Sequence, residues 1–248
     1  MLKQRVLTAV LLLPVVLAAI FLLPAEWFIG LLAFIFLNGS LEYKRLAGLT
    51  NQSAGSILLF LQTLILAVLF WFRPEWANHI LVYLSVSCVA WLLMFLRLPL
   101  YRADSQVDQT YRISSFATAI MSITTGWFAL GWIRLQADGA WLILLLLLIV
   151  WAADTGAYFA GKTFGKNKLA PTISPGKTRE GLIGGLILAP VVALIAVQLM
   201  PISGIEPLHL VLLTLVTALV SVGGDLLISL HKRTSGFKDS GNLLPGHG

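Results

Sequence analysis

Two carboxylates interrupt apolar runs of this chain: Asp154, in VWAADTGAYFAGK, and Asp225, in SVGGDLLISLHKR. An acid held in hydrocarbon costs about 2.5–3.5 kcal/mol on insertion scales, so such groups usually face a cavity and a partner. With a rise of 1.5 Å per residue, each is expected about 8–10 Å inside the end of its helix. The negative potential of a helix C-terminus there makes a cation or metal the natural partner. A structural helix–helix hydrogen bond would account for one such acid. Two at matching depth favour a site. Ser221, Asp225 and Ser229 fall at i, i+4 and i+8, with Lys232 seven residues beyond the acid, so all four share one helix face. Ser221 and Ser229 are therefore candidate ligands as well as packing residues.

Between the two acids runs GKTFGKNKLAPTISPGKTREG, in which Lys162, Lys166, Lys168, Lys177 and Arg179 alternate with Gly161, Gly165, Gly176 and Gly181. Glycine lets backbone amides approach an anion and lysine supplies point charge, which suits a triphosphate. The GKT here is not a Walker A motif, since Pro171 stands where that pattern requires glycine. The chain closes on SLHKRTSGFKDSGNLLPGHG, Ser229 to Gly248, placing Lys232, Arg233, Lys238 and Asp239 after the helix that carries Asp225. An acid beside several cations can hold a divalent metal and the phosphates it bridges. Asp225 and Asp239 are the expected Mg²⁺ ligands. The Pro245-Gly246-His247-Gly248 turn argues against a merely solvated tail.

These residues need elements that live in lipid. The chain is 58% apolar and 11% charged, with a mean hydropathy of +0.89, against about 25% charged residues in soluble domains. The pattern predicts an all-α, polytopic membrane protein forming a single integral-membrane domain. About eight spans are expected: Val6–Leu23, Trp27–Leu41, Ile57–Phe72, Ile80–Leu96, Ile113–Ile133, Ala140–Gly161, Leu182–Met200 and Leu208–Leu230. The second and third are short enough to be tilted partners or half-helices. Residues 1–133 supply the N-terminal helices and 134–248 the catalytic helices and loops. Alternating the loops puts fifteen Lys and Arg on one side, and only Arg73 and Arg134 on the other, so both ends are expected in the cytoplasm. The loop Arg97–Arg112 is expected to lie along the interface. Cys88 is the sole cysteine, which excludes a disulfide framework or a cysteine zinc site. The net charge of +6 is assigned to topology and phosphate contacts rather than to nucleic acid.

The closing stretch resembles the phosphatidate cytidylyltransferase family, whose signature S-x-x-K-R-x4-K-D-x4-[LI]-P-G-H-G-G-x-x-D-R-x-D is matched in register by Ser229, Lys232, Arg233, Lys238, Asp239, Leu244, Pro245, Gly246, His247 and Gly248. Further resemblance lies in Trp151, Asp154, Thr155, Ala157 and Tyr158, in the SPGKT-x-EG loop Ser174–Gly181, and in Ser221–Asp225. The resemblance implies transfer of CMP from CTP to phosphatidic acid in a bacterial inner membrane, at a cytoplasmic site, by a homodimer. It implies Asp154, Asp225, Lys232, Arg233, Lys238 and Asp239 as catalytic residues. Lys162, Lys166, Lys168, Ser174, Lys177, Thr178, Ser221, Ser229 and His247 would bind substrate. The implied cofactor is Mg²⁺, with room for a second, monovalent or divalent cation. The chain stops at Gly248, inside the signature, so the acid, arginine and last helix that follow in the family are expected to be missing, and with them activity. Two rival readings are a CTP-dependent polyprenol or phytol-type lipid kinase, and a transporter of an anionic substrate. The transporter predicts charges near the midplane, whereas these polar groups crowd one face.

Overall fold

The computed structural model describes residues 2–49, 52–102 and 106–237. Among them are eight long helices, α1 (Leu2–Leu22), α2 (Ala25–Leu46), α3 (Gln52–Trp71), α4 (Trp76–Phe95), α6 (Gln109–Arg134), α7 (Gly139–Phe164), α8 (Arg179–Leu199) and α9 (Pro207–Thr234), and one short one, α5 (Arg97–Leu100). Seven are long and apolar enough to cross a membrane; of α1, the described apolar stretch Val10–Leu22 is shorter. Large apolar side chains along these helices lie open, as at Leu81 (77%) and Leu208 (61%), which is stable when the surrounding medium is lipid. The chain is a multi-pass helical membrane protein.

Two expectations change. α2 and α3 are whole helices of 22 and 20 residues, not half-helices, because polar residues at their ends (Asn38 to Arg45, and Gln52 to Ser56) continue the hydrogen-bonded ladder beyond the apolar run. The lysine-rich segment is not a bare loop either. It folds into an antiparallel hairpin of β1 (Lys168–Ala170) and β2 (Ser174–Thr178), pairing Lys168 with Thr178 and Ala170 with Ser174. Within the expected interfacial loop, α5 is a single helical turn and α6 starts at Gln109, where the Asp108 side chain accepts from the Tyr111 N–H.

The chain gathers into two compact units, one of Met1–Leu100, Asp104–Leu135 and His231–Gly248, the other of Tyr101–Ala103 and Gln136–Leu230. In the first, Ile29, Leu66, Trp76, Trp127 and Phe128 form the core. The indole of Trp127 donates to the Ile29 carbonyl at 3.0 Å and that of Trp76 to the Leu69 carbonyl at 2.9 Å. Gln62, fully buried, bonds Ser40 and donates to the Ala119 carbonyl. Helices in lipid gain nothing from hiding apolar surface from tails, so such polar bridges and close packing hold them together. Near the ends of α2, α6 and α9, Tyr43, Tyr111, Arg97 and the fully buried His231 form a second polar knot. The Tyr43 hydroxyl stands 3.2 Å from the His231 Nδ1 and 3.3 Å from its Nε2, and Arg97, which can only donate, meets Nε2 at 3.4 Å.

In the second unit α7 and α8 pack backbone to backbone. A methyl group at Gly156 would come 2.5 Å from the Gly184 carbonyl oxygen, and one at Gly185 would come 2.6 Å from that of Ala153. Ala152, Ala153, Ala189, Ala193 and Ala196 continue the contact. Small residues permit this approach, the usual device for helix pairing in membranes.

Candidate active site

The α7–α8 contact opens at one end, where the hairpin joins the two helices, into a cavity of about 350 Å³ within the second unit. α7 presents Asp154, Tyr158 and Lys162 to it, one per turn. Gly161 and Gly181 line it as well, at positions where a side chain would collide with Thr178 or with the Ala157 carbonyl. β2 contributes Lys177 and α9 contributes Asp225.

The Lys177 ammonium pairs with an Asp225 carboxylate oxygen at 2.5 Å. With the Asp225 side chain 60% exposed, such a pair contributes on the order of 1 kcal/mol or less. It serves to fix a charge pattern more than to stabilise the fold. Asp154 is close enough to both Asp225 and Lys177 to sense their charge. Among the described residues its carboxylate makes no hydrogen bond or ion pair, so it stays available to a ligand or cation. Lys162 lies 5.8 Å from the centre of the Tyr158 ring, a cation–π distance that keeps the ammonium on the cavity side.

The hairpin is tied down at its base. Thr178 begins α8 as its N-cap, its hydroxyl accepting from the Gly181 N–H at 3.0 Å. Two residues on, the Glu180 carboxylate accepts from the Lys166 and Asn167 backbone N–H groups at 3.2 Å, and from the Asn167 side-chain amide at 2.7 Å.

Five residues expected from the sequence therefore line one cavity: Asp154, Lys162, Lys177, Thr178 and Asp225. Lys166, Lys168 and Ser174 sit on or beside the hairpin without lining it. Ser221 and Ser229 stand one turn to either side of Asp225 on α9. α9 continues to Thr234 and α7 to Phe164, so the two acids stand nine and ten residues before their helix ends. That is about 13–15 Å from those ends, deeper than the sequence suggested, because the polar residues that seemed to close each span remain helical. Lys232 and Arg233 occupy the last turn of α9, which belongs to the first unit. Lys238, Asp239 and His247 lie outside the described residues. Among the described residues no three His, Cys, Asp or Glu side chains cluster as a metal site. Tyr158, Asn167 and Glu180 were not among the candidates. Their signals were present: Tyr158 lies four residues from both Asp154 and Lys162, and Glu180 stands two residues after a threonine that can cap a helix.

Membrane-spanning helices around a cavity of paired acids and lysines define an integral-membrane protein with a site suited to charged ligands. The chain belongs to the cytidylyltransferase family, whose sequence profile matches residues 3–248, and it is accordingly a nucleotidyltransferase. It is 37% identical to a phosphatidate cytidylyltransferase of Pseudomonas aeruginosa over 248 residues, covering 100% of this chain and 90% of the relative. It is 35% identical to a phosphatidate cytidylyltransferase of Haemophilus influenzae, covering 100% of this chain and 92% of the relative. A shorter match, 45% identical over 115 residues, is to a phosphatidate cytidylyltransferase of Bacillus subtilis, covering 46% of this chain and 42% of the relative.

Proposed function

We propose that the chain transfers CMP from CTP to phosphatidic acid, giving CDP-diacylglycerol and diphosphate. The observation that carries this reading is the joining of Asp154, Asp225, Lys162 and Lys177 in one cavity of a chain whose full length matches phosphatidate cytidylyltransferases. A phosphate oxygen of phosphatidic acid attacks the α-phosphorus of CTP. The bond from that phosphorus to the bridging oxygen breaks, and diphosphate leaves with the electron pair. No protein nucleophile is required, so the residues act by alignment and charge neutralisation. Lys162 and Lys177 bind the nucleotide's phosphates, and Lys166 and Lys168 add to the local positive potential. Asp225 would hold a cation, and Lys177, its partner in the cavity, would be free to bind a phosphate.

The donor set fits Mg²⁺, a hard cation that takes carboxylate oxygens and keeps waters and phosphates for its other positions. Among the described residues, Asp154 offers a carboxylate lining the cavity and Asp225 one paired with Lys177. Asp239 would be a further ligand, and a second, monovalent or divalent cation belongs to the same proposal. When bound, Mg²⁺ would neutralise charge on the phosphates. Lys232, Arg233, Lys238 and His247 are assigned to the same chemistry from the signature. Ser174, Thr178, Ser221 and Ser229 are assigned as substrate contacts, with Thr178 donating its hydroxyl hydrogen while its oxygen caps α8. The fifteen-to-two distribution of basic residues supports a bacterial inner-membrane protein with its site toward the cytoplasm, where CTP is made. A homodimer is the proposed assembly.

The test is transfer of label from α-³²P-CTP to lipid by the purified protein in nanodiscs, run on this chain and on a version continued through the rest of the signature. Labelled CDP-diacylglycerol supports the proposal. Label entering lipid only from γ-³²P-ATP or γ-³²P-CTP would make the protein a lipid kinase. Anion flux without either product would make it a transporter.

A further inference from the structure

Glu180 carries the wrong charge for its place. It is a carboxylate whose hydrogen bonds lie at the exposed surface, at the base of a segment bearing Lys162, Lys166, Lys168 and Lys177, where a triphosphate would be repelled by it. Its bonding explains the choice of residue. Both carboxylate oxygens take the Asn167 backbone N–H at 3.2 Å, one also takes the Lys166 N–H at 3.2 Å, and the other takes the Asn167 side-chain amide at 2.7 Å. The strand is returned in kind, since the Arg179 N–H donates to the Asn167 carbonyl at 2.9 Å.

The consequence propagates through the chain to Lys177. Residue 168, next after Asn167, pairs with Thr178 across the hairpin, and Thr178 is locked to α8 by its cap on Gly181. Gly165, just before the clamp, lies so near Thr178 that a methyl there would come 2.9 Å from the threonine methyl. Lys177 is thus attached to a base closed by three contacts, and its ammonium reaches the cavity at Asp225. A carboxylate accepting several N–H bonds at a helix N-terminus is suited to this work, because the helix dipole and the amides offset its charge.

We infer that Glu180, with Asn167, is a positioning residue that sets the hairpin and thereby Lys177 for nucleotide binding, without touching the nucleotide. This rests on the CTP reading above. Three other roles make different forecasts. A solvated acid near a polyanion predicts that its removal tightens CTP binding. A helix-end charge predicts a loss of stability with no change in CTP affinity. A metal ligand predicts loss of turnover at saturating CTP.

The experiment compares the full chain in nanodiscs with Glu180→Ala, Glu180→Gln, Asn167→Ala and the double alanine variant. CTP binding is read by calorimetry and backbone hydrogen exchange by mass spectrometry. Glu180→Ala is expected to weaken CTP about tenfold, to leave phosphatidic acid binding within twofold, and to speed exchange across residues 166–178 while α7 stays protected. Asn167→Ala is expected to weaken CTP about threefold, and the double variant to be no worse than Glu180→Ala alone. Glu180→Gln, which keeps one acceptor oxygen, is expected to recover part of the affinity. Unchanged exchange in Glu180→Ala overturns the clamp whatever the affinity does. CTP binding that is tighter or equal in Glu180→Ala overturns the positioning role. If the parent chain binds no CTP at all, the proposed function falls, and the exchange measurement still decides whether the clamp exists.

Discussion

In the first unit helices are joined by side chains that reach across: Trp127 to the Ile29 carbonyl, and Gln62 to Ser40 and the Ala119 carbonyl. In the second, α7 and α8 meet where side chains are missing, with Gly156 against Gly184 and Gly185 against Ala153. Both solve the same problem, which is holding helices together in a solvent as apolar as their own surfaces. The solutions differ in tolerance. A long polar bridge can rotate to a neighbouring rotamer, whereas two backbones in contact have no degree of freedom to yield. The cavity with Asp154, Lys177 and Asp225 is built in the unit of the second kind, where backbone contact fixes the helix that carries Asp154 and the start of the helix that follows the hairpin.

The largest effect separating the units should be on chemistry. In a version continued through the rest of the signature, Asp225→Asn and Asp154→Asn, each removing a cavity carboxylate, are predicted to lower CMP transfer by about 10²–10³-fold with thermal unfolding unchanged. Turnover near the parent's would show that the cavity is not the reaction site. Next comes packing: Gly156→Val should cost about 1–3 kcal/mol or more by overpacking, seen as a lower Tm in detergent. A smaller effect is expected for Lys177→Ala, about tenfold in CTP affinity. The deficit should shrink as salt rises, since a point charge is screened, and phosphatidic acid binding should hold. Equal losses for both substrates would indicate misfolding.

In the first unit Gln62→Leu should cost only about 0.6–1.7 kcal/mol, the range for polar bridges between membrane helices, and should leave CTP affinity untouched. The smallest effect is predicted at Gly30 in α2, where an added methyl meets nothing within 4 Å. Gly30→Ala should be neutral or stabilising by up to about 1 kcal/mol. A loss there as large as at Gly156 would erase the distinction between the two kinds of packing.

What could be read directly from the chain was what depends on neighbours along it. Hydropathy over some twenty residues identified the spans, because solvation by lipid is a property of each segment. The placement of Asp154 and Asp225 in apolar runs marked them for the same reason, and the spacing of Ser229, Lys232 and Arg233 carried the family resemblance. Helix ends were less legible: polar residues at Asn38 to Arg45 signal an exit from lipid but not an end to helix, so α2 was read short and the two acids too shallow. The hairpin was hidden because lysines, glycines and prolines describe a turn-rich loop equally well, and its strands form only when Lys168 meets Thr178. Convergence of Asp154, Lys177 and Asp225 depends on how α7, β2 and α9 pack within their unit, which no local pattern encodes. Glu180 shows the limit most clearly. Its charge argues against a place among phosphate-binding lysines, and only the three-dimensional course of residues 165–180 supplies the four N–H hydrogen-bond contacts that give it one.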